Sequence, residues 1–482
     1  MSHLNLTISE LHALYVSGMT TPLNVVNEVI DALQKDKNNI LEATMFDEAR
    51  AFAATLKAVE EDNLLWGIPF LVKDNFATKG TETTGSSNIL NGYIPLFDAE
   101  VVARLKALKA IPIAKTTLDE LGMGGKGITG HKGITYNPYG EEKTRIVGGS
   151  SSGSASGVAS GYVPFSLGSD TGDSIRKPAS WAGIVGFKPT WGEISRFGLY
   201  SFMPTLDHVG FFTRSVYESA YLYEVAKGFD EKDFTTNIKP SPSVISDITI
   251  PLKGRKIAVL KPIMDLMRNQ NLIKEFNSLV QKLKDQGAIV DFVPFDEAIL
   301  AAILPTYFML SCAETITCNA NLTGINFGNK VEGNSYEEIV LNTRTAGFSS
   351  KIKYRFLLGN FVLQKSKRNA YYDRAQRGRR IIVDAFNALF EKYDTMLLPA
   401  APSHAPRIGE KSEPNSEIEN NYMAIANFGG YPSITLPLGL DKGLPLGVNL
   451  TSHIHQDGKL LNIAYQIEQL TNLYNLHVGQ VK

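Results

Sequence analysis

Residues 146–190, IVGGSSSGSASGVASGYVPFSLGSDTGDSIRKPASWAGIVGFKPT, form the most informative stretch of the 482-residue chain. Tracts rich in glycine and serine are commonly flexible linkers. A solvated linker has no use for large apolar side chains, yet they recur here at Val158, Val163, Phe165, Leu167, Trp181 and Phe187. We therefore predict that the stretch is folded, and that its small residues bring the backbone close to a reacting group.

The kind of site follows from what this stretch contains and lacks. A Walker phosphate loop needs Gly-Lys-Ser/Thr four residues after a first glycine, and no lysine stands there. Cleavage of an amide by acyl transfer needs an activated hydroxyl, a proton acceptor and N–H groups aimed at the developing oxyanion. Ser174 follows Thr171-Gly172-Asp173, where successive N–H groups could converge. None of the eight histidines shows a local arrangement of the Ser-His-Asp kind, such as one with a GxSxG elbow, and a serine hydrolase without a histidine base can use lysine.

The composition excludes several other classes of protein. The formal net charge is −1, so no global field attracts the chain to nucleic acid or to an anionic membrane. The amino terminus lacks a secretory signal and no segment offers about 18 uninterrupted apolar residues, so we expect a cytoplasmic protein that binds no membrane. Some weaker signals have ordinary explanations: Cys312 and Cys318 as core residues, His453-x-His455 as alternation on a strand, and the basic run 365–380 as a solvated helix face.

The order of predicted elements indicates one unit rather than several. A capping box, Thr7-x-x-Glu10, opens a helical segment over about 7–60. A core over about 61–230, with Lys73 and the Gly/Ser-rich stretch, follows, and an exposed, polar, Pro/Ser-marked connection covers about 231–250. Strands and helices then alternate over about 251–475. Although the length permits up to about three domains, this alternation predicts a single α/β/α domain over 1–482.

Three motifs resemble the amidase-signature family, whose hallmarks are a GGSSGGSA-type segment and a GSDTGGSIRxPA-type segment. They stand here at 148–155 and 168–176, and GIPFLVKDN at 67–75 matches the strand that carries the family's catalytic lysine. The resemblance runs from about residue 7 to about 470. It implies an amidohydrolase with a central mixed β-sheet covered by helices on both faces.

The resemblance also implies a catalytic triad. Ser174 would be the nucleophile that becomes the acyl-ester, Ser150 the bridging serine after a cis peptide bond, and Lys73 the terminal base. An ordinary lysine, with a pKa near ~10.4, would spend about 4–5 kcal/mol on deprotonation at pH 7. We therefore expect Lys73 to be buried, since burial disfavours the ammonium form. Asp170 and Arg176 would either hold the nucleophile loop or form an ion pair unrelated to catalysis.

The oxyanion hole implied by the resemblance consists of the N–H groups of Thr171, Gly172 and Asp173. Two residues depart from the family pattern. Ser152 replaces a glycine and is small enough to be tolerated. Asp173 replaces the glycine before the nucleophile, and an inward carboxylate would oppose an oxyanion. We expect the Asp173 side chain to point away and its N–H group to remain available.

Within the family, the chain resembles the A subunits of glutamyl-tRNA(Gln)/aspartyl-tRNA(Asn) amidotransferases, most clearly at 187–216, 343–363 and 427–440. These proteins hydrolyse glutamine and pass ammonia to a partner that amidates misacylated tRNA. The implied partners are the B and C subunits of a heterotrimer, with tRNA contacted mainly through the partner. No cofactor or metal is expected in this chain, because ATP and magnesium would be used by the partner.

Three residues would bind glutamine by this resemblance. Arg355 would hold the α-carboxylate, because a guanidinium binds a carboxylate bidentately. Tyr307 would contribute a pocket hydroxyl. Asn420 stands where the family carries an aspartate that reads the α-amino group, and a slip of one or three residues would bring Glu419 or Glu417 there instead. Because an amide binds an ammonium less well than a carboxylate does, a stand-alone amidase for another small amide is the alternative function, and a non-catalytic assembly scaffold is a third.

Overall fold

The structure is a computed structural model that describes residues 2–237, 239, 241–410, 418 and 421–478. Eleven strands are found in these ranges: β1 Leu41–Thr44, β2 Pro69–Lys73, β3 Ile111–Thr116, β4 Phe165–Asp170, β5 Val185–Lys188, β6 His208–Thr213, β7 Lys256–Leu260, β8 Ile289–Val293, β9 Thr395–Pro399, β10 Ser433–Asp441 and β11 Leu444–Thr451. They form one sheet in the order β1-β3-β2-β4-β6-β5-β10-β11-β9-β7-β8.

The described residues also form sixteen α-helices. They are α1 Ile8–Val16, α2 Pro22–Leu33, α3 Phe46–Thr55, α4 Glu100–Ala107, α5 Ser152–Ala159, α6 Arg176–Ala182, α7 Val216–Ala226, α8 Lys261–Leu266, α9 Gln270–Asp285, α10 Glu297–Ala301, α11 Ile303–Cys318, α12 Tyr336–Gly347, α13 Ser350–Leu363, α14 Arg374–Phe390, α15 Ile425–Phe428 and α16 Asp457–Thr471. The predicted capping box at the start of α1 is present, since Thr7 and Glu10 exchange hydrogen bonds.

The sheet is mixed, as expected. β2 is parallel to both of its neighbours, β3 and β4, whereas β4, β6, β5, β10, β11 and β9 pair antiparallel in succession. The carboxyl ends of parallel strands meet at one edge of a sheet, which is where ligands commonly bind in α/β folds. β2 ends at Lys73 and β4 ends at Asp170, just before the predicted nucleophile loop.

Helices cover both faces of this sheet. Neighbouring residues of a strand point to opposite faces. In β5, a Cβ built on Gly186 would lie 2.5 Å from Ala179 of α6. The next residue, Phe187, places its ring 5.7 Å from that of Tyr223 in α7. The α/β/α fold class predicted from the sequence is therefore confirmed.

Some local predictions were wrong. The segment 7–60 is not wholly helical, because Leu41–Thr44 forms the edge strand β1 and pairs with β3. The described part of 231–250 adopts turns and bends, but Val244 and Ile248 are buried and anchor it to the core. His453 and His455 lie beyond the end of β11, so strand alternation does not explain their spacing.

Other local predictions concern surface and core residues. The basic run 365–380 is mostly exposed and includes a π-helical turn, Asn369–Asp373, ahead of α14. Cys312 is buried, whereas Cys318 is only half-buried. The helical stretch Glu297–Cys318 matches a membrane span by length and composition, with a mean hydropathy of 1.6 and 44% of that window buried. Its main part, α11, packs against α13 and α14 as a core helix does.

Candidate active site

Lys73 is the last residue of β2, and its side chain is fully buried. Its Nζ atom lies 2.9 Å from the Ser150 hydroxyl, 2.9 Å from the Ser169 hydroxyl and 3.3 Å from the Ser169 carbonyl oxygen. A neutral amine has two N–H donors and one lone pair. An ammonium donates in all three contacts, whereas a neutral amine donates to Ser169 and accepts from the Ser150 hydroxyl, so the same geometry serves both charge states of Lys73.

Burial determines the charge state of this amine. Loss of solvation lowers the pKa of Lys73 from 10.5 to about 7, and the charges of Asp170, Asp119 and Asp207 partly oppose this effect. Among the described residues, no carboxylate lies within ion-pair distance of the Lys73 Nζ atom. No direct ion pair therefore stabilises the protonated form of this amine. Lys73 is thus a base that is ready at neutral pH.

Ser150 lies between β3 and the start of α5, where the Gly149–Ser150 peptide bond is cis, as the resemblance implied. The backbone of Asp119 stabilises this segment, since its N–H group donates to the Ser150 carbonyl oxygen at 3.1 Å. Only glycine fits at position 149, because a Cβ there would lie 2.1 Å from the Asp119 carboxylate. Ser150 is 1% exposed, and its hydroxyl therefore points into the protein toward Lys73.

Ser174 lies in the tight connection between β4 and α6 and is 5% exposed. The two Gly/Ser-rich segments meet here, because the Ser151 N–H group donates to the Ser174 carbonyl oxygen at 3.3 Å. The chain therefore brings Lys73, Ser150 and Ser174 to one edge of the sheet, at the ends of β2 and β4.

A buried ion pair shapes the loop that carries Ser174. Arg176 binds both carboxylate oxygens of Asp170, at 3.0 and 3.1 Å, and also donates to the Gly172 carbonyl at 2.8 Å. Asn427 donates to Asp170 at 2.9 Å and accepts from Arg176 at 2.7 Å. Burial raises the pKa of Asp170, but the adjacent Arg176 outweighs it, so the net pKa lies well below its usual range. Of the two readings left open by the sequence, this network favours the one in which the pair holds the loop.

The backbone of this loop presents unused donors. Among the described residues, no acceptor lies within hydrogen-bond distance of the N–H groups of Thr171, Gly172 and Asp173. The Asp173 carboxylate forms an ion pair with Lys177 one turn further on. The side chain is thus directed away from the base, as expected, and the N–H groups are free to bind an oxyanion.

Tyr307 lies against the loop, and Arg355 stacks on the neighbouring rings of Phe202 and Phe308. A Cβ on Gly172 would lie 3.0 Å from the Tyr307 hydroxyl, so a larger residue here would displace the Tyr307 ring by a few tenths of an ångström. Arg355 is 9% exposed and stacks its guanidinium over Phe202 and Phe308, 5.4 and 5.1 Å from the ring centroids. Its Nη1 atom is buried without a hydrogen-bond partner among the described residues. A buried N–H donor without a partner is costly unless a ligand accepts its hydrogen bond.

A chain of contacts connects this guanidinium to the triad. A Cβ on Gly122 would lie 3.9 Å from the Ser150 hydroxyl and 3.7 Å from Phe202, the ring on which Arg355 stacks. Asn420 lies outside the described residues, so its predicted role stays a prediction. In the part of the chain that the structure describes, no group of His, Cys, Asp or Glu side chains could hold a metal ion. His455 instead pairs with Glu193 at 3.0 Å.

Sequence reasoning missed two residues that support the triad. Ser169 binds Lys73 through two oxygens and also accepts from Asn75 at 2.9 Å. It stands inside the quoted motif, but nothing in its spacing marks it. Asp119 accepts five hydrogen bonds from residues 126–129, at 2.7–3.1 Å. An acid just before the glycine-rich segment 122–133 was the available signal.

Comparison with known proteins agrees with this geometry. The sequence matches the amidase family over residues 24–461. The chain belongs to the amidase family. Relatives of this amidase include the glutamyl-tRNA(Gln) amidotransferase A subunit of Pediococcus pentosaceus, which is 33% identical over 99% of both chains. The corresponding A subunit of Bacillus velezensis is 39% identical over 88% of both chains.

The amidase also resembles a solved structure over most of its length. The glutamyl-tRNA(Gln) amidotransferase A subunit of Thermotoga maritima superposes with a TM-score of 0.79, at 32% identity, over 96% of this chain and 94% of that one. The fold is therefore similar to that of this solved A subunit.

Proposed function

We propose that this amidase is the glutaminase component of a tRNA-dependent amidotransferase. The observation that carries the proposal is Arg355, a buried guanidinium with a free Nη1 beside the triad, which suits a small amide bearing a carboxylate. Glutamine is such an amide. The similarity to the A subunits of glutamyl-tRNA(Gln) amidotransferases over nearly the full length supports the same substrate.

The geometry supports a two-stage reaction. Ser174 attacks the amide carbon while its proton passes to Ser150, which in turn gives its own proton to the neutral Lys73. The oxyanion forms within reach of the free N–H groups of residues 171–173. Removal of one such donor typically lowers kcat by roughly 10²–10³-fold. The proton then returns through Ser150 to the leaving nitrogen, so that ammonia departs and an acyl-ester remains on Ser174.

Water completes the cycle by the same route. It gives a proton to the relay of Ser150 and Lys73 and attacks the ester, and Ser174 recovers its proton as glutamate leaves. We further propose that the ammonia is used by B and C partner subunits, which would bind ATP, magnesium and most of the tRNA. The assembly would convert Glu-tRNA(Gln), or Asp-tRNA(Asn), in the cytoplasm.

Ammonia release from glutamine tests this proposal. We expect release by the full chain to rise when the partner subunits and misacylated tRNA are added, and to fall to background with Ser174→Ala. Efficient turnover of unrelated small amides, with none of glutamine under either condition, would favour a stand-alone amidase instead. Failure of an electrophilic glutamine analogue to label Ser174 would favour a non-catalytic scaffold, against which the intact Lys73–Ser150 contact already argues.

A further inference from the structure

Asp207 is a buried carboxylate that contacts two parts of the site at once. It directly precedes β6 and is 3% exposed. Its Oδ1 atom accepts a hydrogen bond from the Thr171 hydroxyl at 2.6 Å. Its Oδ2 atom accepts from the Ser201 hydroxyl at 2.6 Å and from the N–H groups of Phe202 and Met203 at 2.9 and 3.0 Å. Each carboxylate oxygen therefore binds a different segment of the chain.

The register of the sheet places this carboxylate opposite the oxyanion loop. β4 and β6 pair antiparallel, and their last register pair joins Asp170 to His208. Thr171 follows Asp170 and Asp207 precedes His208, so these two residues face each other one step beyond the end of the ladder. The contact between the Thr171 hydroxyl and Oδ1 is therefore a consequence of strand pairing, and the oxyanion loop begins at a fixed point.

The other carboxylate oxygen holds a tight turn, residues 201–203. The N–H group of Asp207 also donates to the Met203 carbonyl oxygen at 2.9 Å, so hydrogen bonds close this turn in both directions. Phe202, in the middle of the turn, carries the ring on which Arg355 stacks, with the guanidinium 5.4 Å from the ring centroid. One carboxylate thus joins the loop that carries the oxyanion donors to the ring beneath Arg355.

The charge of Asp207 explains why this link resists movement. Within the described ranges, no cation lies within ion-pair distance of the carboxylate, in contrast to Asp170, which binds Arg176. A buried carboxylate is costly unless hydrogen bonds satisfy it. Separation of either segment from Asp207 would leave a carboxylate oxygen without its donors. The loop and the turn are therefore held at one distance from each other.

We propose that Asp207 is a positioning residue that fixes the oxyanion loop against the 201–203 turn, and so sets the spacing between the oxyanion donors and Arg355. Such spacing matters because a misplacement of about 1 Å can lower turnover by about 10²-fold. The part that concerns Arg355 rests on the proposed function, since it presupposes a substrate with a carboxylate. The part that concerns the oxyanion loop requires only that the chain cleaves amides.

Two substitutions separate the two sides of the carboxylate. Thr171→Val removes the hydroxyl on the loop side alone, whereas Asp207→Ala releases both segments. Each full-length variant is assayed with glutamine and with butyramide, a small amide without charges, and kcat and KM are measured separately. We expect kcat to fall about 10²-fold in both variants and for both amides, because the oxyanion donors are displaced.

The KM values distinguish the turn side from the loop side. KM for glutamine should rise about tenfold or more in Asp207→Ala, the usual consequence of losing a hydrogen bond to a charged group. It should change little in Thr171→Val, which leaves the turn intact, and KM for butyramide should change little in either variant. A general loss of structure would not produce this division between kcat and KM.

A conservative variant and a double variant test whether the two residues act together. Asp207→Asn can still offer an oxygen to the turn and an N–H donor to the Thr171 hydroxyl, which can accept, so it should retain more kcat than Asp207→Ala. The combination of Asp207→Ala with Thr171→Val should be no slower than Asp207→Ala alone, because residues in one network are not additive.

Asp457→Ala is the matched control. Asp457 is also buried and accepts from the Thr190 hydroxyl at 2.6 Å and from the Thr190 N–H group at 2.8 Å, outside the candidate active site. We expect this variant to leave kcat unchanged. An equal fall of kcat in the control would overturn the inference, because the effect would then follow from the loss of any buried acid.

Multiplied losses of kcat in the double variant would also overturn it, since they would show that the two residues act independently. If Asp207→Ala does not fold, Asp207→Asn and Thr171→Val provide the same comparison. Turnover of butyramide without any turnover of glutamine would refute the proposed function instead, and the kcat values for butyramide would still decide whether Asp207 positions the oxyanion loop.

Discussion

Replacing Lys73 tests the chemistry most directly. Burial brings the pKa of this amine from 10.5 to about 7, so about half of the molecules carry a neutral base at pH 7. At an ordinary lysine pKa, only about one molecule in 3,000 would do so, a difference of about 5 kcal/mol at ~1.36 kcal/mol per pKa unit. Lys73→Met removes the proton acceptor, and we expect kcat for ammonia release to fall by about 10³-fold or more, near the upper end for general bases.

The pH dependence of the unmodified enzyme should show the same group. Activity needs the neutral form, so kcat/KM should rise with pH up to about 7 and level off above it. Lys73→Arg, which keeps the charge and cannot deprotonate, should be as inactive as the methionine variant. Retention of more than about a tenth of the activity by Lys73→Met would refute the reasoning, because a general base contributes at least about 10².

Thermal unfolding separates this loss of chemistry from a loss of folding. In the folded state the amine is held neutral at a cost, and the unfolded chain binds more protons between pH 7 and 10.5. Lys73→Met removes that cost, so its Tm should be no lower than that of the unmodified chain at pH 7. The advantage should shrink as pH rises toward 10, where the amine is neutral in both states.

Three further predictions concern the supports of the triad. Arg176→Met leaves the buried Asp170 carboxylate unpaired, and should lower the free energy of unfolding in urea by about 3–5 kcal/mol; a loss below 1 kcal/mol would contradict a structural role. Gly172→Ala places a methyl group 3.0 Å from Tyr307, so we expect kcat to fall while circular dichroism shows an unchanged fold. An unchanged kcat would show that the loop accommodates the methyl group without cost. Arg355→Gln should raise KM for glutamine about 30-fold or more, with a smaller effect on kcat. An equal rise in KM for neutral amides that lack a carboxylate would argue against a carboxylate contact.

Much of the site could be predicted from local sequence. The Gly/Ser-rich stretch forms α5 and the loop before α6 because only small residues fit there; a Cβ on Gly149 or Gly172 would meet Asp119 or Tyr307. The apolar run before Lys73 predicts a buried strand, and β2 ends at that residue. Motif order and spacing were sufficient to relate the chain to its family, which the match over 24–461 confirms.

Other features depend on partners far along the chain. Asn427 reaches Asp170 across 257 positions, and Asp119 donates to the Ser150 carbonyl oxygen, a pairing that its place before a glycine-rich segment does not specify. The edge strand β1 falls within the segment that the sequence predicts to be helical, because four residues are too short for a periodic signal. Local propensity carries no information about such pairings, since they are selected by packing in the folded state.

The sequence by itself determined which hydroxyl groups, which amine and which small residues this protein can use, because the motifs are contiguous and each residue type has a fixed chemistry. The tertiary structure alone decided what those groups become. Only the packed sheet removes water from around Lys73, and only the packed sheet brings its amine within 2.9 Å of the Ser150 hydroxyl, 77 positions away in sequence. The loss of solvation lowers the pKa of this lysine to about 7, so that it can act as a base at neutral pH. Desolvation and proximity are properties of the packed fold, and no stretch of the chain possesses them on its own.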